Sequence, residues 1–284
     1  MTILVTGATG NVGRLVVDLI SAAGARVRAM TRDPGRARFP DGVEVVRGDL
    51  DAPSTLDAAL DGADRLYLFP VPATAHAVVD RAKEAGVRRI VVLSSGAVTA
   101  GYDTDFHLPV ERAVEDSGLE WTHVRPGEFM LNKLWLWGPS IRAEGVVYEP
   151  FPELAWCPVH ERDIAEVAAA ALLDDGHSGN AYDINGPEFV TRRDQIGAIA
   201  DAAGRDVRIE VVPREQARER YLAQGGFAAA NADFLLGFVD YSGNPSGTAA
   251  PEFRPRPRPT SEAVLGRPAR TFAEWARDHA ADFR

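Results

Sequence analysis

The chain of 284 residues is 45% hydrophobic and 25% charged, and its 41 acidic against 31 basic side chains leave a formal net charge of −10. That composition is ordinary for a folded domain, while the acidic balance and the lack of any dense Lys/Arg cluster argue against a nucleic-acid partner, whose phosphates demand a basic surface. The single cysteine, Cys157, excludes an internal disulfide and a cysteine-rich metal site. No apolar run approaches the roughly 18 residues of a membrane span. The first strand starts near Thr2 and leaves no room for a signal peptide, so a cytoplasmic location without a membrane partner is expected.

The first element is an apolar, β-branched run, Ile3-Leu4-Val5, which feeds Gly7-Ala8-Thr9-Gly10-Asn11-Val12-Gly13. Val12, Leu15, Val16, Leu19 and Ile20 then recur at helical period. Strand, glycine turn and helix in that order mark a dinucleotide site. One glycine permits the tight turn, one lets the backbone approach a pyrophosphate, and one lets helix and strand pack with no side chain between them. The phosphates would then face free helix N–H groups.

Further strand patterns follow at Val27–Met30, Val43–Val46, Arg65–Phe69, Ile90–Leu93 and Trp121–Val124, with helical stretches between them. Most are continuous apolar runs, as suits a parallel sheet covered on both faces. The helix Glu161–Leu173 and a strand at Ala181–Ile184 complete the series. The fold class expected is therefore α/β, a Rossmann-type doubly wound parallel sheet with a smaller C-terminal substrate lobe. Residues 1–184 would form the NAD(P)-binding domain, with 129–156 contributing to the substrate pocket, and residues 185–284 the lobe. In the lobe, helical patterns at Thr191–Ala203, Phe227–Gly237 and Thr271–Ala281 replace the alternation, and Arg254–Pro259 reads as an extended connector.

Strand two ends Ala29-Met30-Thr31-Arg32-Asp33. NAD-binding folds place an acid near this position for the ribose hydroxyl. Here the Arg32 guanidinium can pair with a 2′-phosphate and Thr31 offers a hydroxyl, which favours NADP, with NAD the lesser choice. Asp33 is the rival ligand, although Asp33-Pro34 also reads as an N-cap followed by a first-turn proline.

The GxxGxxG spacing of Gly7, Gly10 and Gly13 resembles that of short-chain dehydrogenases and reductases, but the usual chemistry of that group is absent. It needs Tyr-x-x-x-Lys, in which a phenol protonates the carbonyl. The only lysines are Lys83 and Lys133, preceded four positions earlier by Val79 and Phe129. The helix expected to carry the pair reads Asp105-Phe106-His107-Leu108-Pro109-Val110-Glu111. His107 and Glu111 share a face, and Pro109 puts His107 near the helix start.

Taken together, the Gly7–Gly13 turn, Thr31-Arg32-Asp33-Pro34, Gly48-Asp49-Leu50, Ser94-Ser95-Gly96-Ala97, Arg125-Pro126-Gly127-x-Phe129, His160-x-x-Asp163 and the terminal Gly266-Arg267-Pro268 run resemble the NmrA-like group of atypical short-chain dehydrogenases, over nearly the whole chain. The resemblance implies dinucleotide binding by Gly7, Thr9, Gly10, Asn11, Val12 and Gly13, by Arg32, by Asp49 and Leu50 beside the adenine, by Phe69, Pro70 and Val71, and by Pro126, Gly127 and Phe129. For Asp49 the alternative is a cap on the next helix.

The group contains reductases of quinones, triphenylmethane dyes and other conjugated electrophiles, and also proteins that only sense the cofactor. Conjugated acceptors take hydride readily because charge spreads over the π system, which lessens the need for a strong proton donor. His107 is the candidate general acid, oriented by Glu111 or Ser95; the alternative is that His107 caps the helix and Glu111 contacts ribose or solvent. Some relatives carry lysine where Glu111 or His107 falls.

Six of the 23 aromatic residues lie between Phe129 and Trp156, where a flat apolar substrate would stack, although at least half are expected to be core. Phe227, Phe234 and Phe238 are candidates to close that pocket, with Gly225-Gly226 either a hinge or a simple turn. Cys157 reads as a buried small hydrophobe, and Asp163 as a first-turn helix charge in place of a metal or acid–base partner for His160. The expectation is an NADPH-dependent oxidoreductase acting on a small apolar or aromatic substrate, without a metal, as monomer or homodimer. The rival readings are a non-catalytic NADP(H)-sensing regulator and, further off, an isomerase that uses bound NAD internally.

Overall fold

The computed structural model describes residues 1–246 and 260–284; the Arg254–Pro259 stretch lies outside them. In chain order the strands are β1 (Thr2–Val5), β2 (Arg26–Thr31), β3 (Glu44–Arg47), β4 (Arg65–Leu68), β5 (Arg89–Leu93), β6 (Glu120–Pro126), β7 (Val146–Tyr148), β8 (Ala155–Trp156), β9 (Asn180–Ile184), β10 (Val190–Thr191) and β11 (Arg208–Glu210). The described residues form two compact units. The first comprises Met1–Pro126, Glu161–Ile184 and Thr260–Arg267; the second comprises Gly127–His160, 185–246 and Pro268–Arg284. Segment 127–160 thus groups with the later lobe and not with the sheet that precedes it.

The first unit is built on a seven-stranded sheet in the order β3-β2-β1-β4-β5-β6-β9. Every pairing in it is parallel. β1, β4 and β5 are buried along their whole length, and past the buried Thr2, Arg65 and Arg89 that open them they are continuous apolar runs. The order reverses between β1 and β4, and ligands of open parallel sheets bind at such a switch point, outside the carboxyl ends of the strands. The doubly wound expectation is met.

Because all seven strands point the same way, Gly7 after β1, Arg32 after β2, Asp49 after β3, Phe69 after β4, Ser95 after β5 and Pro126 at the end of β6 all fall on one edge of the sheet. The helix His107–Asp116 returns from that edge before β6 begins, so its first residue, His107, starts there too.

The second unit has two ribbons that hydropathy patterns do not announce, β7 with β11 in parallel and β8 with β10 antiparallel. Strands of two or three residues are too short for a period to register. Its core closes on Trp275, fully buried, with ring centres 5.1 Å from Phe272 and 6.0 Å from Phe283. The helix Phe272–Asp278 that carries Trp275 starts with a capping box between Thr271 and Glu274, so two otherwise orphaned backbone N–H groups are satisfied locally. Among the described residues no helix is long and apolar enough to cross a membrane.

Replacing Trp275 with Ala removes a fully buried ring shared by Phe272 and Phe283 and should cost about 3–5 kcal/mol, read as a lowered urea midpoint. A change within experimental error would show that the terminal helix is not part of the cooperative core.

Candidate functional site

The glycine turn is set by space. Gly7 has φ +58, in the left-handed region that favours glycine, and its carbonyl accepts the N–H of Gly10 at 2.9 Å. A β-carbon on Gly13 would lie 2.2 Å from that same carbonyl oxygen. No side chain fits there, so the helix Asn11–Ala22 packs directly onto the end of β1. Gly10 caps the helix in extended conformation without a side-chain acceptor for its first N–H groups. Those donors and the positive end of the helix dipole are what a pyrophosphate requires, so the residues present fit a dinucleotide.

Thr6 joins the turn to the next strand. Its hydroxyl donates to the Tyr67 carbonyl at 2.9 Å and accepts the Phe69 N–H at 2.8 Å. This brings Phe69 over Gly7, where an added β-carbon would touch the ring at 3.2 Å. Phe69 is 43% exposed although it adjoins the buried strand end. Of the residues implied to hold the cofactor, Gly7, Gly10, Gly13 and Phe69 are therefore brought together.

Arg32 is exposed and has no acidic partner among the described residues. The Thr31 hydroxyl accepts the Asp33 N–H at 3.3 Å. Asp33 precedes only a three-residue 3-10 turn, Pro34–Arg36, and makes no side-chain cap, so the capping role considered for it is not realised. The register adds a residue that the sequence reading missed. Arg47 of β3 stands opposite Thr31 of β2, also exposed and without an acidic partner among the described residues. Strand pairing was the only signal for it, because the two are 16 positions apart.

The Asp49 carboxylate accepts the N–H of Asp51 at 3.1 Å, and the Asp49 N–H donates to Thr55 at 3.0 Å, which ties Asp49 into its own turn. Leu50 is buried in the first unit's core. Pro126 ends β6 opposite Ile184. Gly127 and Phe129 belong to the second unit, where Phe129 bridges Val159. The intervening Glu128 takes the Lys133 ammonium at 2.5 Å.

Around the candidate acid the structure departs from expectation. Neither Glu111 nor Ser95 orients His107. The Ser95 hydroxyl is spent accepting the Ala97 N–H at 3.2 Å, as the cap of a short helix. Glu111 is buried in a bidentate pair with Arg125, at 2.9 Å from Nε and 2.6 Å from the terminal nitrogen. Arg125 also donates to Thr99 at 3.1 Å, and Thr99 to Asp183 at 2.5 Å. Glu111 therefore does not contact solvent as one sequence reading had it.

The residue that does orient His107 is Asp103, whose Oδ2 lies 2.5 Å from Nδ1 of the ring. Its other oxygen accepts the N–H groups of Phe106 at 3.0 Å and His107 at 2.9 Å. Burial by itself would raise the Asp103 carboxyl, but the hydrogen bonds from His107 and Phe106 outweigh it and hold the group below its ordinary value. Asp103 is four residues before His107; the same one-turn spacing that singled out Glu111 applied in the other direction.

Burial likewise opposes ionisation of Glu111, and the bond from Arg125, with lesser help from His123, Ser94 and the Arg125 charge, overcomes it and lowers its pKa. Glu111, Glu115 and His123 form a trio whose donor atoms lie within 4.8 Å of one another. Both Glu111 oxygens already face Arg125, whose charge repels a cation. Cys157 is fully buried, and desolvation, helped by Glu128, pushes its thiol up to about 11, so it carries no thiolate near neutrality. Asp163 pairs with Arg267 at 2.7 Å, while His160 lies 3.4 Å from Asp278.

Three of the six aromatic residues of 129–156 take separate partners inside the second unit. Trp137 is fully buried with the Lys133 ammonium 4.8 Å above its ring, Trp135 packs on Phe227 at 5.4 Å, and Tyr148 carries the Arg220 guanidinium at 3.3 Å.

A parallel sheet in Rossmann order with a glycine cradle at its switch point defines a dinucleotide-binding protein. The NAD(P)H-binding family profile matches residues 7–175, and the chain belongs to that family, as the resemblance to the NmrA-like dehydrogenases implied. It is similar to the (4-alkanoyl-5-oxo-2,5-dihydrofuran-3-yl)methyl phosphate reductase of Streptomyces griseus, with 39% identity over 99% of each chain. It is 35% identical, again over 99% of each, to the NAD(P)H azoreductase of Xenophilus azovorans. Among solved structures, the triphenylmethane reductase of Citrobacter sp. complexed with NADP(H) shares the fold at TM-score 0.78 and 21% identity, covering 99% of this chain and 100% of that one.

Two outcomes test the geometry. Gly13→Ala should destabilise the protein by about 1–3 kcal/mol through overpacking and abolish NADPH binding; unaltered binding by calorimetry would refute the steric reading. For Glu111, a folded-state pKa below the unfolded value means the unfolded chain takes up the proton first. The pair's stabilisation is thus full above the unfolded glutamate pKa of about 4.3 and is lost as pH falls through the depressed folded value. Urea midpoints should drop on acidification more steeply in the parent than in Glu111→Gln, and parallel curves would contradict this.

Proposed function

We propose that the chain binds NADPH at the Gly7–Gly13 turn and passes hydride to an aromatic, quinone-like or otherwise conjugated small molecule. The turn carries the reading: the contact of Gly13 with the Gly7 carbonyl leaves helix N–H groups open to an anion at the switch point of the sheet. The chain is an NAD(P)H-dependent oxidoreductase, in keeping with relatives matched over 99% of each chain that are named a (4-alkanoyl-5-oxo-2,5-dihydrofuran-3-yl)methyl phosphate reductase and an NAD(P)H azoreductase. Those names favour turnover over cofactor sensing.

NADP is preferred on grounds of charge. Arg32 and Arg47 flank Thr31 at the end of β2 with no acidic partner among the described residues. A 2′-phosphate pairs with such guanidiniums, whereas a free ribose hydroxyl is normally taken by a carboxylate. When bound, the reduced dinucleotide supplies the hydride. The chain's own residues do the rest: Gly7, Thr9, Gly10, Asn11, Val12 and Gly13 seat the pyrophosphate, Asp49 borders the adenine, and Phe69, Pro70 and Val71 cover the turn. His107 holds a proton at the strand-end edge for the reduced acceptor. Glu111 serves by fixing Arg125, not by touching substrate.

Loss of NADPH absorbance should follow when quinones, enones and azo dyes are supplied, and tight NADPH binding without oxidation across that panel would favour the sensor. Arg32→Ala removes a charge-assisted pair worth about 1.5–3 kcal/mol, so the NADPH Kd should rise about tenfold or more with little change for NADH. Equal losses for both nucleotides would overturn the assignment to NADP.

A further inference from the structure

We propose that Asp103 is a positioning residue that fixes His107 as a proton donor, and that this Asp–His pair serves acceptors whose reduction leaves an anion to be protonated. The inference rests on the reading of His107 given above and deepens it. A helix cap needs one carboxylate oxygen, and Oδ1 alone serves the N–H groups of Phe106 and His107. Oδ2 is committed to the imidazole at 2.5 Å, and the Asp103 side chain is fully buried. The carboxylate is itself anchored, since the backbone N–H groups of Tyr102 and Asp103 both donate to the Ala97 carbonyl, at 2.9 and 3.2 Å. Ala97 in turn lies in the short helix that Ser95 caps at the end of β5. The chain from β5 to His107 thus closes into one braced corner.

An ionised acceptor at Nδ1 selects the tautomer with the proton on that nitrogen. The exchangeable proton of the imidazolium is then the one on Nε2, which has no hydrogen-bond partner among the described residues, and the His107 side chain is 16% exposed. Phe106 lies edge-on to the ring at 4.8 Å between centres.

Hydride acceptors divide by charge. A conjugated carbonyl, a quinone or an azo compound becomes an anion on taking hydride, so an O–H or N–H bond must form as the Nε2–H bond of His107 breaks. His107 is left neutral with Nδ1–H still on Asp103, and it regains its proton from water. A cationic triphenylmethane dye is neutralised by hydride and takes no proton. Substrates of the first kind depend on the pair, and the second kind do not.

Asp103→Asn tests this, because Asn keeps the capping oxygen but turns an N–H toward Nδ1 and so selects the opposite tautomer. In long-range proton–nitrogen NMR spectra of the free protein, with His107 assigned through His107→Gln, neutral His107 should carry its proton on Nδ1 in the parent and on Nε2 in the variant. With NADPH, both substitutions should lower kcat for a quinone or enone by at least about tenfold, general acids being worth a hundredfold or more, while reduction of a cationic dye stays within about twofold. Asp103→Ser, which retains a cap but offers the ring no carboxylate, gives the same pattern if Asn perturbs folding.

A quinone rate that survives Asp103→Asn but not His107→Gln, or an unchanged tautomer, overturns the role of Asp103 and leaves His107 in place. A quinone rate that survives His107→Gln overturns the acid assignment beneath it. Equal slowing of dye and quinone reduces Asp103 to a structural brace.

Discussion

Gly13 has no β-carbon, and the space one would fill is taken by the carbonyl oxygen of Gly7 at 2.2 Å. From that exclusion the arrangement of the first unit follows. The helix Asn11–Ala22 can approach the end of β1 only because nothing stands between them, so its unmatched N–H groups open at the one place where the strand order reverses. Thr6 then clamps the end of β1 to β4 through two hydrogen bonds, which lays Phe69 against the turn. The cradle is thus shaped by backbone contact at Gly7 and Gly13 and by the short Thr6 side chain, not by the rotamer of a long one.

Two buried carboxylates close to His107 illustrate how local partners divide roles. Asp103 and Glu111 are each a turn away from it, each shielded from water, and each kept ionised against the cost of burial by hydrogen bonds. Glu111 is matched by a guanidinium with both its oxygens engaged, which makes it a brace between the helix and β6. Asp103 instead has an imidazole ring and two backbone donors. An ion pair consumes its own charge; a carboxylate facing an imidazole leaves charge available to stabilise the protonated ring. That contrast explains why a carboxylate was right for this position in kind and wrong in identity.

Much of the first unit was legible in the chain. The runs that read as strands are strands, most plainly β1, β4 and β5, where burial along the strand calls for apolar residues, and the glycine turn announces itself by its spacing. The lysine count alone excluded the Tyr-x-x-x-Lys chemistry. The second unit was less legible. Its ribbons are too short to show a period, and spacing did not reveal that four of the six aromatic residues of 129–156 pack separately on Lys133, Phe227, Arg192 and Arg220.

Sequence by itself determined the dinucleotide turn, the parallel sheet and the missing phenol, since each depends on residues adjacent along the chain or on a residue type that is present or not. Only the tertiary structure decided that Arg47 stands beside Thr31, that Arg125 claims Glu111, and that Asp103 rather than Ser95 holds His107. Strand register and competition for a buried charge set those partners, and both depend on what the folded chain brings within hydrogen-bonding distance, which spacing along the sequence does not record.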